Sequence, residues 1–179
     1  MRSLLKTVSL LAMLALPLGV TQAAIPVGAK APAFDTQASL AGKNFAFSLS
    51  KALKKGPVVL YFFPAAFTSG CTVEAHAFAE ATEEFNKMGA TVIGMAADPI
   101  DKLSRFSVEE CRNKFAVGVA TPAMIKGYDV ALALVPGRTD RTSYVIAPDG
   151  KVIFAYTAMS PVGHVTGTMD AVKAWKATH

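Results

Sequence analysis

Residues 58–78 read VVLYFFPAAFTSGCTVEAHAF, and this stretch decides the fold. Its first six residues, 58–63, are apolar and mostly β-branched or aromatic, which predicts a strand that is buried on both faces. Pro64 ends the strand because it has no N–H to donate to a sheet ladder. A loop follows, and Cys71 stands where apolar residues begin to recur at helical spacing. The sequence therefore predicts a strand, a loop and a helix, with a cysteine at the start of the helix.

A cysteine in this position lies in an electrostatic field that favours its reactive form. The N-terminus of a helix has unpaired N–H groups and a partial positive charge, and both stabilise a thiolate relative to a thiol. The carboxyl end of a core strand is also where open α/β sheets place their chemistry. Most free cysteines are inert packing residues, however, so the position of Cys71 alone leaves a structural role open.

The spacing of Pro64, Thr68 and Cys71, P-x-x-x-T-x-x-C, resembles the active-site motif of the peroxiredoxins, which are thiol peroxidases with a thioredoxin-like fold. Residues 28–34 are similar to the G-x-x-A-P-x-F opening that is common in the same family. The resemblance implies that the Cys71 thiolate attacks a peroxide and becomes a sulfenic acid. It also implies that the Thr68 hydroxyl donates to the developing charge and that Pro64 shields the pocket.

An arginine is the next group that the resemblance implies. Arg141 stands directly before the apolar stretch 142–146, as the family's arginine stands before a similar strand. Its guanidinium stays charged and can hold both a thiolate and a peroxide oxygen. Arg138 is the competing candidate, and Arg141 is preferred because its register with the following strand matches the family. Without the resemblance, either arginine would be interpreted as a surface residue.

Cys111 is the only other cysteine in the sequence. Its position resembles that of the resolving cysteine in the bacterioferritin-comigratory or Q-type subgroup, which lies in the helix after the second core strand. Other relatives have the resolving cysteine five residues after the reactive one, where this chain has His76, which we interpret as a surface or packing residue. A purely structural disulfide between the two cysteines remains open. Because a disulfide needs Cα atoms within about 7 Å, we expect two cysteines on separate helices to pair only after local unwinding.

The first 23 residues have the pattern of a secretory signal peptide. Arg2 and Lys6 precede an apolar stretch at 8–18, and small or polar residues follow at 21–23. The apolar stretch is shorter than the roughly 20 residues that a membrane-spanning helix needs. We therefore predict cleavage after Ala23 and export to the periplasm or out of the cell, with an uncleaved anchor as the alternative.

The mature chain, residues 24–179, is predicted to be one thioredoxin-like peroxiredoxin domain of the α/β class. We expect a central mixed sheet flanked by helices, with extra N-terminal strands. Alternating Phe45 and Phe47 predict an edge strand or one arm of a hairpin, and the run at 90–97 predicts a second buried parallel strand. Further strands are predicted at 130–134, 142–146 and 151–156, and further helices at 100–115, 122–128 and 164–177.

The composition disfavours several classes of function. The formal net charge of +5 falls by two, to +3, once Arg2 and Lys6 are removed, and the remaining basic residues are scattered. No basic run interleaves with aromatic residues as nucleic-acid binding would require. Two cysteines and three histidines lack the spacing of metal ligands, so we expect neither a metal nor another cofactor.

Three functions are therefore open. The favoured one is an exported thiol peroxidase that reduces hydrogen peroxide and organic hydroperoxides, as a monomer or homodimer, with a thioredoxin-like or other thiol as reductant. The alternative is an exported thioredoxin-like thiol–disulfide exchange protein, which is disfavoured because such proteins use C-x-x-C and residues 71–74 read CTVE. The third is a binding domain held by a structural disulfide.

Overall fold

In the computed structural model, which describes residues 24–179, the chain is built around one sheet of seven strands. The strands are β1 (Asp35–Leu40), β2 (Lys43–Ser48), β3 (Val58–Phe62), β4 (Thr91–Ala96), β5 (Ala116–Val119), β6 (Thr142–Ile146) and β7 (Val152–Thr157). The helices are α1 (Leu49–Leu53), α2 (Ser69–Lys87), α3 (Ile100–Glu109), α4 (Pro122–Gly127) and α5 (His164–Lys176). Within residues 24–179, no helix has the length and apolar character needed to cross a membrane. The predicted signal peptide lies outside the described residues.

The strands lie side by side in the order β2-β1-β5-β4-β3-β6-β7. β4 runs parallel to both of its neighbours, β3 and β5, whereas β6 runs antiparallel to β3. The hairpin of β1 and β2 extends the sheet at one edge, and β7 forms the other edge. The predicted α/β class, the mixed sheet and the extra N-terminal strands are thereby confirmed.

β3 is the central strand because its side chains enter both cores of the molecule. Val58, Leu60 and Phe62 face a core that α1 and α4 cover, while Val59 and Tyr61 face a core covered by α2, α3 and α5. None of the five side chains is exposed to solvent. Burial on both faces explains why the strand is an unbroken apolar run rather than an alternation of apolar and polar residues.

The prediction of a strand at 130–134 is wrong. Val130 is buried, but Leu134 is 92% exposed, and residues 133–134 form a turn. The strand that completes the sheet is β5, a four-residue segment that the sequence analysis missed. Its sequence AVGV is too short to show a hydrophobic period. Gly118 packs against the Met95 side chain so closely that a Cβ atom there would be nearer than ordinary van der Waals contact.

The helix predicted over 100–115 is too long. α3 ends at Glu109, and Arg112 and Asn113 have positive φ angles of 51° and 59°, which a right-handed helix does not contain. Cys111 therefore lies in the loop after α3 and not on the helix, contrary to the prediction. The other predicted helices and strands occur within a few residues of their expected bounds.

Candidate active site

Cys71 lies in the first turn of α2, a few residues beyond the carboxyl end of β3. Thr68 is the N-cap residue and has extended backbone angles, and its carbonyl oxygen accepts the Thr72 N–H at 2.9 Å to close the first turn. The Cys71 side chain is only 2% exposed and packs in the core between the sheet and α2. The predicted strand, loop and helix are thus present, with the thiol at the N-terminus of the helix.

Arg141 lies directly before β6, and its guanidinium reaches the thiol. Nη2 donates to Cys71 Sγ at 3.4 Å, Nε donates to the Met159 carbonyl oxygen at 2.9 Å, and Nη1 donates to the Glu74 carboxyl group. The side chain is almost fully buried. Burial by itself lowers the pKa of Arg141, but the charges of Glu74 and Cys71 raise it, and the net shift is upward. The guanidinium therefore stays charged, and its hydrogen bonds to three acceptors fix its position and orientation.

Gly70 leaves the space that this contact needs. A Cβ atom built on Gly70 would lie 3.1 Å from Nη2 of Arg141, which is closer than ordinary van der Waals contact. Because Gly70 directly precedes Cys71, its missing side chain lets the guanidinium approach the helix N-terminus beside the sulfur. The motif spacing gave no indication of this requirement.

Glu74, one turn after Cys71 on α2, is a buried acidic group that the sequence analysis missed. One carboxyl oxygen pairs with Arg141, whereas Oε1 finds no hydrogen-bond partner among residues 24–179 and lies 3.7 Å from His164 Nδ1. Burial raises the pKa of Glu74 to about 8, and Arg141 opposes this rise without cancelling it. Burial therefore favours the protonated form of Glu74, which weakens its competition with the sulfur for the charge of Arg141. The only available sequence signal was the three-residue spacing from Cys71.

His164, the first residue of α5, extends the buried polar chain behind Arg141. Its Nε2 lies 3.0 Å from the Ala158 carbonyl oxygen, and its Nδ1 lies 2.8 Å from the Ser143 hydroxyl oxygen. Since a carbonyl oxygen only accepts, Nε2 holds the ring hydrogen, and Nδ1 of the neutral ring accepts from Ser143. Burial lowers the pKa of His164, and the charge of Arg141 acts in the same direction. The neutral ring adds no second cation to the site.

Thr68 and Pro64 lie in the loop between β3 and α2. The Thr68 hydroxyl donates to the Ala65 carbonyl oxygen at 3.0 Å, so its hydrogen is already used within the loop. The predicted donation to a substrate would need this bond to break, whereas the lone pairs of the hydroxyl oxygen can accept without any rearrangement. Pro64 is half-buried at the end of the strand. The catalytic roles of both residues remain predictions.

Arg138, the competing candidate, makes a different contact. Its Nη1 donates to Asp98 Oδ1 at 2.9 Å, while Arg141 is the arginine within hydrogen-bonding distance of Cys71. This placement agrees with the preference for Arg141 over Arg138.

Cys111 is fully buried in the loop after α3, and both it and Cys71 are free thiols. Burial raises the pKa of Cys111, and the neighbouring Glu110 charge adds to the rise. The thiol is therefore protonated and weakly nucleophilic where it lies. His76 contacts the same loop, with its Nε2 at 2.7 Å from Glu110 Oε2, and thus joins α2 to the segment that holds Cys111.

The site is formed by contacts around the sulfur. Cavities of about 480, 610 and 250 Å³ are lined by residues other than Cys71, Thr68 and Arg141. Within the described part of the chain, no group of three or more His, Cys, Asp or Glu side chains is placed to hold a metal ion. The geometry places a sulfur within hydrogen-bonding distance of a fixed cation.

Comparison with known proteins identifies a matching family and several similar proteins. The family described as AhpC/TSA matches residues 27–155. The chloroplastic peroxiredoxin Q of Suaeda salsa is 34% identical over 153 residues, which cover 85% of this chain and 70% of that protein. Peroxiredoxin Bcp of Escherichia coli K12 is 30% identical over 135 residues, covering 68% and 79% respectively. The crystal structure of peroxidoxin BcpB from Mycobacterium tuberculosis superposes with a TM-score of 0.74 at 28% identity, covering 83% of this chain and 96% of that one.

The buried Glu74 carboxyl predicts a pH dependence of stability. Its pKa in the folded chain, about 8, lies above the ordinary value of 4.5, so the folded state keeps a proton that the unfolded state releases. Its contribution to the free energy of unfolding is therefore complete below pH 4.5 and is lost as the pH rises towards 8. The loss has a slope of up to about 1.4 kcal/mol per pH unit. We expect Glu74→Gln to remove this slope in denaturant titrations at several pH values.

Glu83→Gln is the matched control for this experiment. Glu83 lies on the same helix, but it is exposed, and its hydrogen bond with Lys114 lowers its pKa. This variant should leave the slope between pH 4.5 and 8 as it is in the wild type. Parallel curves for Glu74→Gln and the wild type would contradict the raised pKa of Glu74.

Proposed function

Because the chain belongs to the AhpC/TSA family and is a peroxiredoxin of the Q/Bcp type, we propose that this cysteine-based peroxidase reduces hydrogen peroxide and organic hydroperoxides at Cys71. We further propose that a disulfide between Cys71 and Cys111 completes the oxidative half of its cycle. The observation that supports the proposal most directly is the 3.4 Å contact between Arg141 Nη2 and Cys71 Sγ. The family takes a peroxide as its substrate and a thioredoxin-type thiol as its reductant.

The first step is the formation of the thiolate. Arg141 donates to the sulfur, and the free N–H groups at the start of α2 add partial positive charge around it. Burial raises the pKa of Glu74, so its carboxyl group competes less strongly for the guanidinium than an exposed glutamate would. The thiolate of Cys71 is then the nucleophile.

The second step is the attack of the thiolate on the nearer oxygen of the peroxide, in line with the O–O bond. The S–O bond forms as the O–O bond breaks, and the leaving hydroxide or alkoxide takes a proton from solvent, which balances the one that the Cys71 thiol gave to solvent in the first step, and becomes water or an alcohol. The transition state spreads negative charge over the sulfur and both oxygens. Arg141 Nη2 and the backbone N–H of Cys71 are the donors nearest to that charge, and Thr68 Oγ1 can accept from the peroxide O–H. Pro64 covers the pocket, and the product is Cys71 sulfenic acid.

The third step is resolution by Cys111, and it requires local opening. The Cys111 thiol is buried and protonated, so it becomes a nucleophile only after it leaves the core. The adjacent Arg112 and Asn113 have left-handed backbone angles, which cost non-glycine residues roughly 1 kcal/mol or more each. Opening the loop releases this strain. The exposed thiol then attacks the sulfenic sulfur, a disulfide forms, and water leaves.

One histidine–carboxylate hydrogen bond and two ion pairs hold the Cys111 loop against one face of α2. They join residues at positions 76, 80 and 83 of the helix to the loop and comprise His76–Glu110 at 2.7 Å, Glu80–Arg112 at 3.3 Å and Glu83–Lys114 at 3.0 Å. Solvent-exposed pairs typically contribute no more than about 1 kcal/mol each. We infer that these pairs guide the loop back after opening and do not prevent its release.

Variants at Cys71 and Arg141 test the peroxidase proposal. Cys71→Ser removes the nucleophile, so the consumption of hydrogen peroxide and of cumene hydroperoxide should fall to background, with dithiothreitol as reductant. Arg141→Lys keeps the charge but loses the planar fork, and kcat/KM should fall roughly 100-fold. Cys111→Ser should keep the first oxidation at its wild-type rate. A folded Cys71→Ser chain that still consumes peroxide would refute the proposal.

Mass spectrometry tests the role of Cys111. One equivalent of peroxide added to the reduced protein should give a monomer lighter by two hydrogens, with Cys71 and Cys111 joined in one cross-linked peptide pair. Cys111→Ser should instead give a Cys71 sulfenic acid that dimedone traps. Disulfide-linked dimers, or overoxidised Cys71 with an untouched Cys111 thiol, would show that Cys111 is not the resolving residue.

We also propose that residues 1–23 are a cleaved export signal. Support comes from the sequence pattern alone, with Arg2 and Lys6 before an apolar stretch at 8–18. Expressed from its full gene in a Gram-negative host, the protein should be recovered from the periplasm with Ala24 as its first residue, as measured by intact mass. A double change of Leu10 and Leu11 to Arg should keep the precursor inside the cell. An uncleaved wild-type chain in the cytosol would contradict the proposal.

A further inference from the structure

Asp98, which follows β4 at its carboxyl end, is a buried carboxylate that the steps above do not use. Its side chain is 2% exposed. Oδ2 accepts the Ala66 N–H at 2.8 Å, while Oδ1 accepts from Arg138 Nη1 at 2.9 Å and from Lys102 Nζ at 3.0 Å. Burial alone raises the pKa of Asp98, but the hydrogen bonds from Arg138, Ala66 and Lys102 outweigh it, and the net shift is downward. Asp98 is therefore ionised, and both of its carboxylate oxygens accept hydrogen bonds.

The bond to Ala66 holds the loop that contains Thr68. Ala66 is almost completely buried, so water cannot replace Asp98 as the acceptor for its N–H. The next residue, Phe67, has a φ of 67°, a left-handed conformation that non-glycine residues seldom adopt. Local preferences therefore do not explain the path of the loop into Thr68 and α2. The bond to Asp98, in the segment that follows β4, is a contact that fixes it.

The bond to Arg138 holds the segment that leads into Arg141. Arg138 precedes Arg141 by three residues, and between them Thr139 Oγ1 donates to the Phe63 carbonyl oxygen at 2.6 Å. The segment is thus attached both to the end of the central strand and to Asp98. One carboxylate therefore bonds to the two segments that lead into Thr68 and Arg141.

We propose that Asp98 is a positioning residue for peroxide reduction, which couples the 64–68 loop to the 138–141 segment and so sets the placement of Thr68 and Arg141 around Cys71. The inference rests on the proposed function, in which a peroxide oxidises Cys71. Asp98 acts through Ala66 and Arg138 and not by contact with the substrate. It also gives Arg138 a role, as the second attachment point of the carboxylate.

Two rate constants measured on the same variants test the proposal. In a Cys111→Ser background, which isolates the first oxidation, the rate of Cys71 oxidation by hydrogen peroxide is compared with the rate of its alkylation by iodoacetamide. Alkylation needs only an accessible thiolate, whereas peroxide reduction also needs donors and acceptors placed around both oxygens. The ratio of the two rates therefore reports positioning in folded protein, and each variant is first shown by circular dichroism to be folded, because an unfolded chain also exposes the thiol to alkylation.

Asp98→Ala should lower the peroxide rate roughly 10- to 100-fold and leave alkylation within about threefold of the wild type. Asp98→Asn keeps an oxygen that can accept the Ala66 N–H, so its loss should be smaller. Arg138→Met removes one attachment and should lower the ratio several-fold. Lys102→Met is the matched control, because it removes only a partly exposed partner on α3, and its ratio should equal that of the wild type.

Parallel losses in both rates for Asp98→Ala, or a peroxide rate within about threefold of the wild type in folded protein, would overturn the positioning role. If Asp98→Ala does not fold, Arg138→Met decides: a lowered ratio supports the proposal, and an unchanged ratio overturns it.

The wild-type rate distinguishes a failure of the proposed function from a failure of the Asp98 role alone. A wild-type chain that leaves peroxide untouched overturns the proposed function and the role of Asp98 together, whereas a reactive wild type with equally reactive variants overturns only the latter.

Discussion

A buried guanidinium is tolerated in this protein because each of its three nitrogens donates a hydrogen bond to an acceptor. Arg141 donates to the Met159 carbonyl oxygen, the Glu74 carboxyl and the Cys71 sulfur, and its side chain is almost inaccessible to water. In such surroundings an unpaired charge would be very costly, so the cation and the groups around it stabilise one another. The neutral His164 ring leaves Arg141 as the one cation that pairs with the two acidic groups, Cys71 and Glu74, in this part of the described chain.

Because Cys71 and Glu74 share the Arg141 cation, the protonation state of Glu74 is coupled to the oxidation state of the Cys71 sulfur. While the sulfur is a thiolate, a protonated Glu74 leaves the guanidinium to the sulfur, and the raised pKa of Glu74 favours this arrangement. Once the sulfur is oxidised, it no longer holds a full negative charge, and the guanidinium is left to Glu74. Cys111 is kept in the opposite condition, protonated and covered, until its loop opens. The reduced fold thus holds the Cys71 thiol beside a cation and keeps the Cys111 thiol covered and protonated.

Sheet topology explains how residues so far apart in sequence meet. β3 and β6 are antiparallel neighbours, and Phe62 near the end of β3 pairs with Thr142 at the start of β6. In an antiparallel pair, the end of one strand lies beside the beginning of the other. The loop that follows β3 and the arginine that precedes β6 are therefore placed together. β4, parallel to β3 on its other side, ends at the same edge and delivers Asp98.

Local sequence determined the strand, loop and helix around Cys71, the mixed sheet, and, through the motif resemblance, the choice of Arg141. These depend on hydrophobic periodicity, on the residues that end strands and begin helices, and on motif spacing within one segment. Such features can be identified without any information about tertiary contacts. Glu74, Asp98 and the strand β5 were decided only by the tertiary structure. An acidic residue on a helix or after a strand has the sequence signature of a solvated surface group, and four residues are too few to show a period. Their burial and their partners come from segments that are distant along the chain, and a local pattern contains no information about those contacts.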